Sequence, residues 1–246
     1  MKNELVHLDE FSEILSEYNL SNELTEVLAK VKLILLSAPT AVGRNTIIKE
    51  LIKTNKYYFL ISDTTRQPRK NDGVLERDGD PYWFKTEEEV LNGLKRGKYF
   101  GPAIIHSQQV SGVHIDEITK TLNLNKIALT EMEVQGVEAL TKIKPDIISI
   151  FVLPPSFDVW MQRLKQRGVI TQVEFKRRLL SAVKEFEHAL VSNYFIFIIN
   201  DDFHKSVKVI ERIINSNTAY IDQQESCRKL IIELTQEVKN VLSTLD

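Results

Sequence analysis

The 246-residue sequence has a single cysteine, Cys227, which excludes an internal disulfide framework. It also lacks the run of roughly 18 apolar residues that a membrane-spanning helix needs, and its Glu-rich first thirty residues are not typical of a signal peptide. Charge of one sign is not in excess, because 32 Lys and Arg stand against 34 Asp and Glu. A protein that mainly neutralises nucleic-acid phosphates is therefore not indicated. These absences predict a cytoplasmic protein with no nucleic-acid partner and no membrane partner.

The residues that are present predict a globular α/β protein. Hydrophobic residues make up 43% of the sequence, which is enough for a sizeable core. Short apolar runs typical of buried strands alternate with amphipathic helical patterns, and this order predicts a parallel sheet with helices on both faces. The strand candidates are 31–36, 58–61, 127–132, 147–153 and 195–199. The helical patterns lie at 137–143, 157–167, 173–191 and 204–214.

Three segments interrupt or flank this alternation. Residues 62–116 are rich in Gly, Pro, aromatic and charged residues, and we interpret them as an inserted antiparallel lobe. Residues 1–30 and 215–246 form helical extensions whose apolar stripes must be covered, either by the main domain, which spans 31–214, or by a second copy in a homodimer.

The loop after the first strand is the first candidate binding site, because ligands of open α/β sheets bind beyond the carboxyl ends of strands. A phosphate-binding P-loop needs glycines for its backbone curl, a Lys for the outer phosphates and a hydroxyl for magnesium. This loop has the right spacing but altered residues, and a plain strand-to-helix turn is the alternative. It consists of Ala38, Pro39, Thr40, Ala41, Val42, Gly43, Arg44, Asn45 and Thr46.

A second candidate site follows the second strand. Arg66 and Arg69 are three residues apart beside hydroxyl groups, and Tyr82 comes shortly after them. Two guanidinium groups so placed can form a fork around one phosphate, since guanidinium suits bidentate contacts to oxyanions. A solvated basic loop is the alternative interpretation.

Taken together, these segments resemble the guanylate kinases, a family of P-loop nucleoside-monophosphate kinases. Matching blocks occur in the family's order over about residues 31–214. After the loop of Ala38–Thr46 they are Ser62–Arg69, Tyr82–Phe84, Thr130–Gly136, Ile150–Ser156, Arg163–Gly168 and Asn200–Asp202.

The resemblance implies a P-loop NTPase-type sheet, a nucleotide-monophosphate lobe at about 62–116 and a mobile lid at about 163–178. It implies phosphoryl transfer from ATP, with Mg²⁺, to a nucleoside monophosphate, GMP first. The implied acceptor-site residues are Ser62, Arg66, Arg69, Tyr82 and Glu133. The implied metal ligands are Asn45 and Glu131. The implied catalytic residues, which act on the transferring phosphoryl group, are Arg44, Arg163, Arg167 and Arg178.

The sequence departs from the family pattern at both substrate sites. In the P-loop, Arg44 replaces Lys, and Ala38 and Ala41 replace glycines, where a methyl group obstructs the approach of a phosphate. In the acceptor lobe, Gly101 replaces the Glu that reads guanine, which predicts weaker base selectivity. Glu76, Asp78 and Asp80 in the longer loop at 70–80 are candidates for a substitute acid.

Two functions remain open on the sequence. The first is the kinase described above. The second is a binding module that recognises a nucleotide or a phosphorylated partner through Arg66, Arg69 and Tyr82 without turnover. A zinc site at His106 and His114 is a remote third idea, because the five histidines lack metal-ligand spacing.

Overall fold

The computed structural model describes residues 5–71, 73–105, 107–166, 171–215 and 223–245. The strands within these ranges are β1 (Leu33–Ser37), β2 (Tyr57–Phe59), β3 (Asp63–Thr64), β4 (Lys70–Asn71), β5 (Val74–Leu75), β6 (Arg77–Asp78), β7 (Pro81–Phe84), β8 (Tyr99–Ile105), β9 (Gln109–His114), β10 (Ile127–Glu131), β11 (Ile148–Leu153) and β12 (Phe195–Ile199). The helices are α1 (Leu8–Ser16), α2 (Asn22–Lys30), α3 (Arg44–Lys53), α4 (Glu87–Lys95), α5 (Ile115–Asn123), α6 (Val134–Ile143), α7 (Phe157–Gln166), α8 (Gln172–Val191), α9 (Phe203–Asn215) and α10 (Gln224–Ser243).

The main sheet is five-stranded and parallel, with the strand order β12-β11-β1-β10-β2. The five predicted strands are confirmed to within two residues at each end. All five residues of β1 are buried, so this central strand is covered on both faces. The loop that follows it therefore starts from the middle of the sheet.

The second sheet has the order β6-β7-β3-β9-β8 and is mixed. Strand β3 pairs antiparallel with β9 but parallel with β7, so the lobe predicted as antiparallel also contains a parallel pairing. The parallel pairing arises because the short hairpin β4–β5 returns the chain before β7 begins. Helix α4, which the sequence interpretation missed, starts with a capping box in which Thr86 and Glu89 satisfy each other's backbone N–H groups.

Contacts between Cα atoms divide the chain into two compact units. The first unit comprises Met1–Lys32 and Tyr58–Thr130, and the second comprises Leu33–Tyr57 and Glu131–Asp246. Each terminal extension thus belongs to a unit of the main domain. None of the described helices combines the length and the apolar character needed to cross a bilayer.

The N-terminal extension is part of the first unit's core. Leu5 and Phe11 are buried in one cluster with residues of α4 and β8–β9. The hydroxyl of Tyr18 donates to the Tyr99 carbonyl at 2.7 Å and accepts from the Tyr99 N–H at 2.8 Å. The apolar stripe of this extension is therefore covered within the chain itself.

The C-terminal helix α10 packs on α8 and β12 in the second unit. The side-chain amide of Gln224 accepts from the Phe197 N–H and donates to the Phe197 carbonyl, so it pairs with edge strand β12 as a neighbouring strand would. Arg228 donates to the carbonyls of Leu190 and Ser192. The apolar stripe of α10, with Cys227, is buried in this contact.

Candidate active site

The loop after β1 has the backbone conformation of a curled strand-to-helix turn. Ala41 has φ +66° and Gly43, the N-cap of α3, has φ +104°. A left-handed alanine costs about 1 kcal/mol more than glycine would. The loop therefore keeps a conformation that favours glycine at position 41, although glycine is absent there.

Two carbonyl groups of the loop are tied to side chains behind it. Trp160 donates from its indole Nε1 to the Thr40 carbonyl at 2.8 Å. The Val42 carbonyl accepts from Asn200 Nδ2 at 2.9 Å and from Arg163 Nη1 at 3.1 Å. A Cβ on Gly43 would lie 2.4 Å from Asn200 Nδ2, so position 43 requires glycine for space as well as for φ.

Arg44, the first residue of α3, forms an ion pair at the end of the neighbouring strand. Its Nη2 lies 2.8 Å from Glu131 Oε2, and the two side chains are 25% and 39% exposed. Among the described residues, its Nε has no hydrogen-bond partner although it is buried. The guanidinium thus has one terminal nitrogen on Glu131, while its buried Nε is left without a partner.

The cavity beside the loop has a volume of about 220 Å³ and is lined by residues 38–45 with Met132, Glu133 and Glu185. Burial raises the pKa of Glu185, the hydroxyl of Ser181 opposes this through a hydrogen bond, and the charge of Glu133 raises the pKa further. Sequence reasoning missed Glu185, because nothing in the spacing of α8 shows which of its residues faces the loop.

The acidic groups at this cavity suit a magnesium ion that arrives with a nucleotide. Within the described ranges no three potential His, Cys, Asp or Glu ligands are grouped tightly enough to hold a metal alone. Mg²⁺ at nucleotide sites is held by one or two protein oxygens, the substrate phosphates and several waters, so a closed cage is not needed. The oxygen atoms of Asn45 and Glu131 are hard ligands of the kind that Mg²⁺ prefers, and both side chains are partly exposed to a ligand.

The three predicted lid arginines have different surroundings. Arg163 donates to the carbonyls of Val42, Asn200 and Asp201, so its guanidinium faces backbone groups in this structure. Arg178 donates to Glu174, whose pKa is lowered to about 2 mainly by hydrogen bonds from Arg177 and Arg178. Arg167 lies outside the described residues.

In the lobe predicted to bind the acceptor, a carboxylate holds Arg66 in place. Glu76 binds both terminal nitrogens of Arg66, at 2.5 and 3.0 Å, and also accepts from the Arg69 N–H at 2.8 Å. The side chains of Arg66 and Glu76 are only 10% and 8% exposed. The rings of Tyr82 and Phe84 lie 5.0 and 5.4 Å from the guanidinium carbon. The structure thus brings Arg66 and Tyr82 together and places Glu76 on Arg66 and on the Arg69 backbone, while the binding of an acceptor phosphate by these residues stays a prediction.

Strands β8 and β9, where the resemblance predicts base recognition, pack closely on each other. Gly101 has φ +60° at a register shift between β8 and β9. A Cβ on Gly112 would lie 3.0 Å from the Pro102 Cα, so these two positions pack closely. The hydroxyl of Ser111 is used internally, since it donates to the Asp63 carbonyl at 2.7 Å.

The other predicted acceptor residues are placed less specifically. Ser62 lies just before β3, where its carbonyl accepts from the Trp83 N–H. Glu133 is the exposed N-cap residue of α6 and belongs to the second unit, beside the phosphate loop. Their contacts with a nucleotide remain predictions.

A central parallel strand that runs into a curled loop and a helix, with a lobe that holds an arginine on a carboxylate, is the arrangement expected of a P-loop nucleoside-monophosphate kinase. Comparison with known proteins narrows this class. The guanylate kinase family model matches residues 30–217. The chain therefore belongs to the guanylate kinase family.

Curated relatives agree with this assignment. The guanylate kinase of Rickettsia prowazekii is 34% identical over 188 residues, which cover 76% of this chain and 92% of the relative. The guanylate kinase of Clostridioides difficile is 32% identical over 206 residues, which cover 83% and 96%. The crystal structure of guanylate kinase from Anaplasma phagocytophilum superposes with a TM-score of 0.54 at 23% identity over 82% of this chain and 93% of that one, and supports the fold.

Proposed function

We propose that this chain transfers the γ-phosphoryl group of ATP to GMP, which gives GDP and ADP. The observation that carries the proposal is the backbone of the phosphate loop. Ala41 and Gly43 both have positive φ, so the loop keeps its phosphate-cradle shape despite its altered residues. A loop that had lost its function would be expected to let the alanine relax to negative φ.

On the donor side, we propose that the loop and the start of α3 hold the ATP phosphates. The first turn of α3 contains no acidic residue, and no described side chain caps its N-terminus. Backbone N–H groups and the helix dipole therefore favour an anion there. Arg44 adds a full positive charge at the start of the same helix, beside its ion pair with Glu131.

On the acceptor side, Arg66 and Arg69 bind the GMP phosphate, with Ser62 and Tyr82 beside it. Glu76 holds Arg66 rigid, which reduces the side-chain entropy that binding a phosphate would otherwise cost. Glu133 contacts the acceptor nucleotide. An oxygen of the GMP phosphate attacks the γ-phosphorus in line, the bond to the β–γ bridging oxygen breaks, and ADP leaves without a covalent enzyme intermediate.

Asn45 and Glu131 are the residues that would hold Mg²⁺, which supplies charge neutralisation of the ATP phosphates when bound. We assign Arg178 and Arg167 to the transferring phosphoryl group, since such transfer depends on positioned positive charge. We also propose that the domain matched over 30–217 ends at residues 31 and 214, and that the protein works in the cytoplasm.

The altered residues make this chain a divergent kinase in our proposal. In place of the family's Lys and Gly the loop has Arg44, whose guanidinium pairs with Glu131, and Ala41, so it is adapted to a guanidinium rather than to an ammonium. The loss of an acid at Gly101 and the internal use of the Ser111 hydroxyl relax base selectivity.

A coupled assay of ADP release with GMP, AMP, UMP and CMP tests the proposal, with ligand-induced thermal shifts on the same samples. Turnover with GMP supports the kinase. Stabilisation by GMP with no turnover for any acceptor refutes it and supports the binding module instead. Sedimentation of the same samples tests the homodimer, for which the terminal helices offer no free apolar stripe in the described residues.

A further inference from the structure

Ala41 is flanked by the two loop carbonyls that have side-chain donors. Thr40, the residue before it, has its carbonyl on Trp160, and Val42, the residue after it, has its carbonyl on Asn200 and Arg163. The one non-glycine residue of this loop with positive φ is therefore fixed on both sides.

The three donors are themselves held firmly. Trp160 is fully buried and packs edge-to-face against Phe157 and Phe186. Asn200 is 4% exposed, its Oδ1 accepts from the Ser206 hydroxyl at 3.0 Å, and its N–H donates to the Leu153 carbonyl at 2.7 Å. Arg163 also bonds the carbonyls of Asn200 and Asp201, which links the donors to one another.

The orientation of these carbonyls decides where the loop N–H groups point. In a trans peptide the C=O and the following N–H lie in one plane and point in opposite directions. The Thr40 carbonyl shares its peptide plane with the Ala41 N–H, and the Val42 carbonyl shares its plane with the Gly43 N–H. Carbonyls drawn towards Trp160, Asn200 and Arg163 therefore direct both N–H groups away from these side chains.

We infer that Trp160, Arg163 and Asn200 are positioning residues, here named the loop brace, that force the phosphate loop into its anion-binding conformation although position 41 is alanine. The brace holds Ala41 at the positive φ that glycine would adopt unaided. The ligand of the loop is the polyphosphate of ATP. This inference rests on the proposed function for the identity of the ligand, but not for the conformation of the loop. It also gives Arg163 a role through the loop rather than on the reacting phosphoryl group.

Trp160→Phe tests the brace, because it removes the indole donor and keeps an aromatic ring in the core. Isothermal titration of the Mg²⁺ complex of AMP-PNP, a non-hydrolysable ATP analogue, is expected to show binding weakened about fivefold, which is the effect of one hydrogen bond. The KM for ATP is expected to rise equally, while the KM for GMP stays unchanged.

Ala41→Gly separates positioning of the loop by Trp160 from a merely structural role of Trp160 in the core. Glycine adopts positive φ without help, so Trp160→Phe combined with Ala41→Gly is expected to recover affinity to within about twofold of Ala41→Gly alone. Phe195→Leu is the matched control, since it damages the core of the same unit but touches no loop carbonyl. Ala41→Gly is expected to rescue nothing in that background.

A crystal structure of Trp160→Phe without nucleotide completes the test. We expect Ala41 to move to negative φ in this variant, and a positive φ would overturn the brace. Unchanged affinity of Trp160→Phe for AMP-PNP would also overturn it, as would a failure of Ala41→Gly to restore that affinity. If the wild-type protein binds no AMP-PNP, the proposed function fails. The φ of Ala41 in the crystal structure of Trp160→Phe still decides whether the loop brace acts as inferred. If Trp160→Phe does not fold, Arg163→Met replaces it in the same measurements, with the same expected results. Arg163→Met removes three donated hydrogen bonds at a less buried position.

Discussion

Arg44 offers a substitution whose effects on folding and on catalysis should differ greatly. Its ion pair with Glu131 is partly exposed, so the pair contributes only about 0–1 kcal/mol to the free energy of unfolding. For a chain of this size, 1 kcal/mol corresponds to about 2–4 °C in Tm. Arg44→Ala is therefore expected to lower Tm by no more than about 4 °C.

The expected effect on phosphoryl transfer is much larger. A positive charge aimed at developing negative charge in a water-poor site contributes about 2–4 kcal/mol to transition-state stabilisation. Arg44→Ala should therefore lower kcat by a factor of about 30 to 1000. Arg44→Lys keeps the charge, but one ammonium does not span Glu131 and a phosphate as two guanidinium edges do, so kcat is expected to be equal or lower.

Steady-state kinetics of ADP release for wild type, Arg44→Ala and Arg44→Lys measures these effects. Lys53→Ala is the matched control, because Lys53 is an exposed cation of the same helix whose ion pair with Glu50 is also on the surface. Arg44→Ala as fast as wild type would end the catalytic assignment of this residue. A rise in kcat for Arg44→Lys combined with Ala41→Gly would show that the loop is decayed rather than adapted to arginine.

Four further outcomes follow from the structure. The kcat/KM for GMP is expected to exceed that for AMP, UMP and CMP by less than about 10⁴-fold in the steady-state assay, and a larger ratio would mean that another residue reads guanine. Glu76→Gln should raise the KM for GMP by about tenfold at unchanged kcat, since Arg66 loses a charged partner worth about 1.5–3 kcal/mol; a lower KM would mean that Glu76 competes with the phosphate. Phe11→Ala should lower the free energy of unfolding in urea by about 3–5 kcal/mol, and a loss under 1 kcal/mol would show that the N-terminal helix is a loose appendage. Burial raises the pKa of Asp63, which accepts from the Tyr99 hydroxyl, so the folded state favours the protonated carboxyl. Relative to Asp63→Asn, the wild type should therefore lose stability as pH rises from about 4 through the raised pKa. A stability difference that does not change with pH would contradict this.

The elements that could be predicted from sequence are those with an unambiguous pattern. Phe195–Ile199 is a continuous apolar run between polar residues, and its predicted bounds are those of β12. A five-residue apolar run is too short for a helix and suits a largely buried strand, so its length fixes its ends. Helix α4 was missed because its cap, Thr86 with Glu89, lies within a charged stretch that hides the short apolar face.

The parts of the site that depend on side-chain direction could not be predicted. Arg163 was expected over the reacting phosphate because it lies in a lid motif, whereas the structure directs it to three backbone carbonyls. Glu76 was considered as a base reader, but the hairpin before it returns the chain so that its carboxylate meets Arg66. Arg163 is distant in sequence from the carbonyls that it bonds, and the pairing of Glu76 with Arg66 depends on the hairpin between them.

The phosphate loop shows why a degenerate motif does not by itself measure the loss of a site. A P-loop needs a backbone shape and a positive charge, and in most such motifs glycine and lysine supply both within the loop. Here the shape depends on Trp160 and Asn200, far along the chain, while the charge comes from Arg44. Because Ala41 and Arg44 line the same cavity beside the loop, Ala41→Gly and Arg44→Lys are expected to change ATP affinity non-additively, and the motif letters alone cannot reveal which requirement has been weakened.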